Sequence, residues 1–282
     1  MERSAAKSRR FFIVSILTVA VSAFLLSLLF GTGIKAAHAA NGSSYIVMRA
    51  DTLEIIKGEN HTVRQPMAST TKIMTALLIC ENCSPGETVR IKKESVGIEG
   101  SSVYLKEGEE YTVKELLFGL MLRSGNDCAS ALAAHLGGNV ERFVEMMNLR
   151  ATQLGLKDTH YVNPHGLHHK DHYTSCYDLC KLGCIAMKNP LFKEIVATRS
   201  TTIGKGEYKK TIANKNKILF RYDGGNGIKT GYTKAAGRCL VASAERNNVR
   251  LVAAALNVPD MFGLCENLMD YGFSVLKKQG SK

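Results

Sequence analysis

The sequence contains no tryptophan, no internal repeat and no low-complexity linker. The absence of a repeat excludes solenoid and propeller arrays, and the absence of a linker gives no reason to divide the chain into independent domains. Its 282 residues, of which 45% are hydrophobic, suffice for one large core or two interlocked subdomains.

Basic residues outnumber acidic ones, and the formal net charge is +12 at pH 7. The basic residues are scattered, and no basic motif is interleaved with aromatic side chains, so we do not expect a nucleic-acid partner. Residues 1–40 contain five Lys/Arg and one Glu; they contribute +4 and leave +8 for the rest of the chain. Such a charge on an exported protein suits an anionic wall or membrane surface.

The N-terminus has the pattern of a targeting segment. Four basic residues come first, namely Arg3, Lys7, Arg9 and Arg10. An uncharged apolar run from Phe11 to Ile34 follows, and Ala37-His38-Ala39 offers a cleavage site. We predict that residues 1–39 are a signal peptide, with Ala40 the first mature residue, or a retained membrane anchor, since the run is long enough to span a bilayer. In both cases residues 40–282 lie outside the cytoplasm.

The cysteines are even in number: Cys80, Cys83, Cys128, Cys176, Cys180, Cys184, Cys239 and Cys265. In an exported protein an even count suggests disulfides, but a domain of this size does not need them for stability. Buried free thiols are therefore the default expectation. Cys80-x-x-Cys83 lacks a thioredoxin-like context, so we expect either a disulfide or two free thiols there.

A serine and a lysine one helical turn apart are the centre of the pattern. Pro66 cannot continue a strand, and the apolar positions after Ser69 have helical spacing, which places Ser69 at a helix N-terminus with Lys72 on the same face. A lysine whose pKa is lowered can take the proton of a serine hydroxyl, and the helix N-terminus favours the negative charge that develops during attack. Alone, the pair also fits a capped helix with a solvated lysine.

Two further triplets narrow the interpretation. Ser124-Gly125-Asn126 follows an amphipathic helix, and Lys229-Thr230-Gly231 lies in a glycine-rich stretch before a strand. With Ser69-x-x-Lys72, in this order, they resemble the serine penicillin-recognising enzymes. From about Ser44 to the C-terminus the chain resembles more narrowly the low-molecular-mass D-alanyl-D-alanine carboxypeptidases (peptidase S11 family). The segments that carry this resemblance are Ala68-Ser69-Thr70-Thr71-Lys72, Ser124-Gly125-Asn126-Asp127, Asn163-Pro164-His165-Gly166-Leu167 and Gly227-Ile228-Lys229-Thr230-Gly231-Tyr232-Thr233.

The resemblance implies roles for the first two motifs. Ser69 is the expected nucleophile and Lys72 the expected general base. Ser124 would relay a proton between Lys72 and the leaving amine, and Asn126 would hold the substrate amide and orient Lys72. On the residues alone, the triplet at 124–126 is an ordinary turn after a helix.

The third motif is expected on a strand at the edge of the cleft. Lys229 would supply positive charge for the terminal carboxylate of the substrate and lower the pKa of Lys72, and Thr230 would donate a hydrogen bond to that carboxylate. Gly231 would let the substrate backbone approach and add as an extra strand. The backbone N–H groups of Ser69 and Tyr232 would form the oxyanion hole. Alone, this triplet also fits a glycine-softened edge strand.

The predicted elements indicate an α/β (α+β) fold. They include short strands at Thr88–Ile91 and Ser102–Leu105, helices that start at the capping box Thr112-Val113-Lys114-Glu115 and at Asn139, a sharp turn allowed by Gly125, and a hairpin turn at Gly204-Lys205-Gly206. Strands open and close the region after residue 43, and helices fill its middle, which implies an antiparallel sheet flanked by helices with an inserted helical subdomain. The resemblance implies the same β-lactamase/transpeptidase-like fold, with the site in the cleft between the two parts. It also implies a serine D-alanyl-D-alanine carboxypeptidase that acts on peptidoglycan stem peptides, is acylated by β-lactams and requires no cofactor.

Other functions remain open on the same motifs. A class A β-lactamase would add a glutamate before the third motif to activate water, but no Glu-x-x-x-Asn occurs between Asn126 and Lys229, and Gly125 stands where such enzymes usually carry aspartate. A non-catalytic wall scaffold is disfavoured by the three intact motifs. A transpeptidase or endopeptidase specificity is not separated by sequence.

Histidines cluster after residue 159, and His168, His172 and Cys176 follow one another at four-residue steps. Such a set could in principle bind zinc. The region lacks Cys-x-x-Cys or His-Glu-x-x-His spacing, and His165 and His172 fall in stretches that resemble the family's loop. We therefore predict no metal.

Overall fold

The computed structural model describes residues 42–280. The predicted signal peptide or anchor, residues 1–39, lies outside the described residues. In the part that is described, no helix has both the length and the apolar composition needed to cross a membrane.

A five-stranded antiparallel sheet joins the first and last parts of the described chain. Its strands are β1 (Ser44–Arg49), β2 (Ile55–Glu59), β7 (Gly225–Thr233), β8 (Gly237–Arg246) and β9 (Val249–Leu256). They are ordered β2-β1-β9-β8-β7, and β1 pairs with β9 from Ser44 opposite Leu256 to Arg49 opposite Leu251. This register brings the two ends of the fold together and leaves β7 at the sheet edge.

Both faces of the sheet are buried. The C-terminal helix, Met261–Gly280, packs on one face against β9, β8 and β1, and the inserted helices cover the other. Along β9, Leu251 and Ala253 belong to the core under the C-terminal helix, while Val252 and Ala254 belong to the larger core on the opposite face. This alternation is the period of two that a strand imposes on its side chains.

The inserted region is mainly helical. Its helices are α1 (Lys72–Asn82), α2 (Val113–Leu122), α3 (Asn126–Gly137), α4 (Val140–Gln153), α5 (Cys176–Ala186), α6 (Pro190–Ala197) and α7 (Ile218–Arg221), and the C-terminal helix is α8. Two small two-stranded antiparallel sheets accompany them, β3 (Thr88–Arg90) with β4 (Glu110–Thr112) and β5 (Ser200–Ile203) with β6 (Lys210–Ala213). The predicted α/β architecture with an inserted helical subdomain is confirmed.

Local capping signals fix several helix starts. The predicted capping box is present at α2, where Thr112 accepts from the N–H of Glu115 and the Glu115 carboxylate accepts from the N–H of Thr112. Asn139 caps α4 by accepting from the N–H of Arg142, as expected. These caps satisfy N–H groups that have no partner inside the helix.

The strand predicted over Ser102–Leu105 is wrong. Val103 and Leu105 are buried and Tyr104 is 78% exposed, which mimics strand alternation, but Tyr104 has a φ of +60°. The carboxylate of Asp127 accepts hydrogen bonds from the N–H groups of Val103 and Leu105 and from the Ser102 hydroxyl. A side chain therefore takes the place of a partner strand, and β3 pairs with β4 instead.

Two smaller differences concern turns. The segment between β5 and β6 is not a tight hairpin turn, because it contains a 3-10 turn at Gly206–Tyr208. The short helix α7 was not predicted, since four residues carry no periodicity that sequence analysis can use.

Candidate active site

Ser69 lies in a 3-10 turn, Ala68–Thr71, directly before α1. The turn is fixed by its own hydroxyls, since Thr70 donates to the Met67 carbonyl and Thr71 donates to the Ala68 carbonyl at 2.8 Å. Ala68 has a φ of +48°, which is unfavourable for a residue with a Cβ and requires support from its surroundings. The predicted position of Ser69 at a helix start is confirmed.

Lys72 is completely buried and makes three contacts with its Nζ. Nζ lies 2.7 Å from Asn126 Oδ1, 2.6 Å from the His165 carbonyl oxygen and 3.1 Å from Ser69 Oγ. Burial is the main cause that holds the pKa of Lys72 well below its usual value, and the charge of Lys229 adds to it.

This contact set determines how a neutral Lys72 is oriented. A neutral amine has two N–H donors and one lone pair, whereas Asn126 Oδ1 and the His165 carbonyl can only accept. Both N–H groups are therefore used, and the lone pair is directed at the hydroxyl of Ser69. The geometry is that of a base prepared to remove the Ser69 proton.

The second motif forms the corner between α2 and α3. Asn126 begins α3, and its side-chain amide donates to the Glu99 carbonyl, which fixes the orientation of the oxygen that contacts Lys72. Ser124 is nearly buried and lines the cleft, but its hydroxyl makes no hydrogen bond within the described chain. Its relay role stays a prediction.

The sharp turn at this corner is made by Ser124, and not by Gly125 as expected. Ser124 has a φ of +64°, whereas Gly125 has a φ of −58°, which any residue can adopt. Gly125 is needed for space, because a Cβ there would lie 2.7 Å from an oxygen of Asp127 and 3.1 Å from Cys128 Sγ. A side chain at this position would disturb the carboxylate that organises residues 102–105.

The third motif lies on the edge strand β7, beside the turn that carries Ser69. Lys229 is buried and donates from Nζ to the Thr230 carbonyl at 2.9 Å. Burial, helped by the charge of Lys215, lowers its pKa to about 7. Lys229 thus influences Lys72 electrostatically, as predicted, but it is buried rather than presented on the cleft wall.

Thr230, Gly231 and Tyr232 line the cleft together with Ser69. A Cβ on Gly231 would lie 3.0 Å from the backbone nitrogen of Ser69 and 3.2 Å from that of Thr70. Gly231 therefore allows β7 to pack against the turn that carries Ser69. The expectation was different, namely that Gly231 makes room for the backbone of the substrate. Tyr232 is 68% exposed at the cleft rim, and the oxyanion hole stays a prediction.

A loop that received no catalytic role in the sequence supports both Lys72 and the turn. Asn163 Oδ1 accepts from the N–H of Gly166 at 2.7 Å, and the Pro164 carbonyl accepts from Thr75 at 2.6 Å. These bonds present the His165 carbonyl to Lys72. Gly166 has a φ of +93°, and a Cβ there would lie only 1.9 Å from the Ala68 carbonyl oxygen. The resemblance of this segment was the only signal available.

The cleft has a volume of about 470 Å³. Besides five of the predicted residues, Ser69, Ser124, Thr230, Gly231 and Tyr232, it is lined by Ser101, Lys215, Arg238, Met261 and Phe262. These five were not predicted, since each comes from a loop, a strand or the C-terminal helix, outside the three motifs. Lys215 and Arg238 are the cationic groups on the cleft wall within the described residues.

The zinc alternative at His168, His172 and Cys176 finds no support in the geometry. The Nδ1 of His172 accepts from the N–H of Val162, so its Nε2 carries the proton and donates to Thr71 Oγ1 at 2.7 Å. Both ring nitrogens of this buried histidine are thus engaged, and burial lowers its pKa to about 3. His172 is a structural support of the nucleophile turn.

The eight cysteines are free thiols. Six of them are buried, in agreement with the expectation of buried free thiols, while Cys80 and Cys83 are half-buried. Burial raises the pKa of Cys80 to about 12 and that of Cys83 to about 11, so both are protonated at neutral pH.

Comparisons with known proteins are consistent with this geometry. The profile of the family described as D-alanyl-D-alanine carboxypeptidase (Peptidase S11) matches residues 32–260. The chain is 35% identical over 247 residues to the D-alanyl-D-alanine carboxypeptidase DacF of Bacillus subtilis, covering 84% of this chain and 63% of that one. The chain thus spans about three fifths of the length of this relative.

Two solved structures are similar. The D-alanyl-D-alanine carboxypeptidase from Mycobacterium tuberculosis H37Rv has a TM-score of 0.78 and 34% identity, over 82% of this chain and 90% of that chain. The Streptomyces K15 DD-transpeptidase has a TM-score of 0.76 and 32% identity, over 85% of this chain and 97% of that chain.

Proposed function

Because the chain belongs to the D-alanyl-D-alanine carboxypeptidase family, we propose that it removes the terminal D-Ala from peptidoglycan pentapeptide stems through an acyl-enzyme on Ser69. The observation that carries this proposal is the contact set of Lys72, whose two acceptors leave its lone pair directed at the Ser69 hydroxyl. No cofactor is required for this chemistry.

In the proposed acylation, Lys72 takes the proton as Ser69 Oγ attacks the carbonyl carbon of the D-Ala–D-Ala peptide bond. The backbone N–H groups of Ser69 and Tyr232 stabilise the oxyanion. The proton then passes through Ser124 to the nitrogen of the leaving D-Ala, and the C–N bond breaks. Water hydrolyses the ester and restores the Ser69 hydroxyl.

The terminal carboxylate of the substrate is the feature that a carboxypeptidase must recognise. Lys229 is buried with a lowered pKa of about 7, so it is only partly charged near neutral pH. Arg238 remains charged and lines the same cleft as Thr230. We assign the carboxylate contact to Thr230 and Arg238 together, with Lys229 acting on the field in the cleft, and Asn126 to the substrate amide.

The proposed location is extracytoplasmic, at the cell wall, with residues 1–39 a cleaved signal peptide or a retained anchor. Two observations support this location: the segment has basic residues followed by an apolar run, and the proposed substrate, peptidoglycan, is part of the cell wall. Penicillin is expected to acylate Ser69 and to remain bound, because the sequence lacks the glutamate that a class A β-lactamase uses to activate water.

Mass spectrometry of the full chain incubated with benzylpenicillin and with a diacyl-Lys-D-Ala-D-Ala tripeptide tests the proposal. We expect a Ser69 adduct with the first and released D-Ala with the second. Ser69→Ala should lose both, whereas Ser101→Ala, a matched change on the same cleft wall, should keep both. Absence of adduct and of D-Ala release from the wild type refutes the assignment, and rapid penicillin turnover favours a β-lactamase.

Transpeptidation is the second candidate, because the structurally similar Streptomyces K15 protein is a DD-transpeptidase. The two activities differ in whether water or an amine takes the acyl group. Adding an amino acid acceptor to the tripeptide reaction separates them, since a transpeptidase forms the exchanged peptide at the expense of the hydrolysed one.

A further inference from the structure

A cysteine, a glutamate and a histidine meet at the end of the helical region remote from the cleft. The donor atoms of Cys83, Glu87 and His135 all lie within 4.8 Å of one another. His135 Nε2 is 2.9 Å from a carboxylate oxygen of Glu87. Within residues 42–280, this is the set of three or more such side chains that comes close enough to share one cation.

The cluster joins the two helices that hold the catalytic residues. Helix α1 begins with Lys72 and ends next to Cys83, while α3 begins with Asn126 and carries His135 in its last turn. At 1.5 Å per residue, Cys83 is about 16 Å along the chain direction from Lys72, and His135 is about 14 Å from Asn126. The cluster is therefore separate from the active site, although the same two helices reach both.

The loop that brings Glu87 to the other two residues is held in place. The Glu87 carboxylate accepts from the N–H of Ser84, and the Glu87 carbonyl accepts from the N–H of Val113 at 2.8 Å. The Pro85 carbonyl accepts from the N–H of Lys114 at 2.9 Å. Two of the three donors are half-buried, so the side chains have limited freedom to separate.

The helix ends and the ligand charges favour a cation at the cluster, and the opposing charges nearby are Arg90 and Lys92, which line the cavity beside His135. The C-terminal ends of α1 and α3 both point at the cluster, and the carbonyl groups of a helix end carry partial negative charge. A thiolate at Cys83 and a carboxylate at Glu87 supply two negative charges, and a neutral imidazole at His135 supplies none. Together they would neutralise a divalent ion.

We propose that Cys83, Glu87 and His135 bind a zinc ion that joins the C-terminal ends of α1 and α3. Sulfur, imidazole and carboxylate are the ligand types that zinc accepts, and water would complete the tetrahedron. Neighbouring ligand atoms around zinc are roughly 3.4–3.6 Å apart, so the three donor atoms need to approach one another by only about 1 Å, which side-chain rotation allows. Binding replaces the His135–Glu87 hydrogen bond and releases the thiol proton of Cys83 to solvent.

Cobalt titration of the full chain, kept reduced with a phosphine, tests the site. Co²⁺ should bind with one equivalent per chain and produce the near-ultraviolet band of a thiolate–cobalt bond, which Zn²⁺ should abolish. Cys83→Ser should lose the band, and His135→Ala and Glu87→Gln should weaken binding by about tenfold or more. Cys80→Ser, one turn earlier on α1, and His169→Ala should bind as the wild type does.

Thermal unfolding gives a readout that is independent of spectroscopy. Zn²⁺ at a hundred times its Kd should raise the Tm of the wild type by roughly 5–10 °C and leave that of Cys83→Ser unchanged. The proposal is overturned if the wild type shows no thiolate–cobalt band, if the band survives in Cys83→Ser, or if Cys80→Ser removes it.

Discussion

The contact between Gly166 and the nucleophile turn makes a quantitative prediction for Gly166→Ala. The backbone cost of a Cβ at a φ of +93° is about 1–2 kcal/mol. The new Cβ would also lie 1.9 Å from the Ala68 carbonyl oxygen, so the loop and the turn must separate by more than 1 Å. Overpacking of this kind costs about 1–3 kcal/mol, which gives a total of about 2–5 kcal/mol.

The same displacement should affect acylation. It moves the Ala68–Thr71 turn, and it moves the His165 carbonyl that holds an N–H of Lys72. A misplacement of about 1 Å at reacting groups costs about a hundredfold in rate. Acylation by a fluorescent penicillin, followed by stopped flow, measures this loss, and urea unfolding measures the stability.

Gly108→Ala is the matched control, since Gly108 has a φ of +84° and open space where the Cβ would be. It should show the backbone cost alone, about 1–2 kcal/mol, and a wild-type acylation rate. If Gly166→Ala loses no more stability than Gly108→Ala and acylates within threefold of the wild type, the argument that this loop positions Lys72 and Ser69 is wrong.

Four further predictions, on three variants, concern charges and buried polar groups. Lys229→Met should shift the acid limb of the pH profile of acylation to higher pH, because the charge of Lys229 lowers the pKa of Lys72. The pKa of Lys229 is about 7 in the folded chain and about 10 in the unfolded chain, so between these pH values the unfolded chain binds one more proton. The free energy of unfolding of the wild type minus that of Lys229→Met, measured by urea titration, should therefore rise from about pH 7 to about pH 10. A difference that does not change with pH would contradict the assigned pKa. Arg238→Gln should raise KM for the tripeptide about tenfold with little change in kcat. With a tripeptide whose C-terminal carboxylate is amidated, the variant and the wild type should have the same KM. If the variant raises KM equally for the free and the amidated tripeptide, Arg238 does not contact the carboxylate. Asp127→Asn should lower the free energy of unfolding in urea by about 2–4 kcal/mol, because the Asp127 carboxylate accepts three hydrogen bonds from residues 102–105. A loss below about 0.5 kcal/mol would show that other contacts hold this segment.

The sequence predicted the features that depend on local chemistry. Helix starts at Thr112 and Asn139 follow from capping residues, and the strands near the two ends of the described chain follow from apolar runs between turn residues. Each of the three motifs contributes residues to one cleft, and within each motif the short spacing keeps the functional side chains in one local segment.

What the sequence could not supply depends on contacts between distant segments. The His165 carbonyl is a backbone group and leaves no residue type to recognise. Asp127 replaces a strand partner for residues 102–105 from a position 22 to 25 residues away, which no periodicity reveals. The positive φ of Ser124 is likewise imposed by its surroundings, since serine has no preference for it.

The three contacts of the Lys72 amine restrict where it can pass a proton. Once the amine has become an ammonium, its third hydrogen lies toward the oxygen it has just deprotonated, while the other two remain held by Asn126 and His165. The acquired proton therefore has one exit, along the cleft side, and cannot be exchanged through the protein interior. An arginine at position 72 would fill the same pocket with charge but could never complete such a cycle, because guanidinium keeps its protons throughout the accessible pH range.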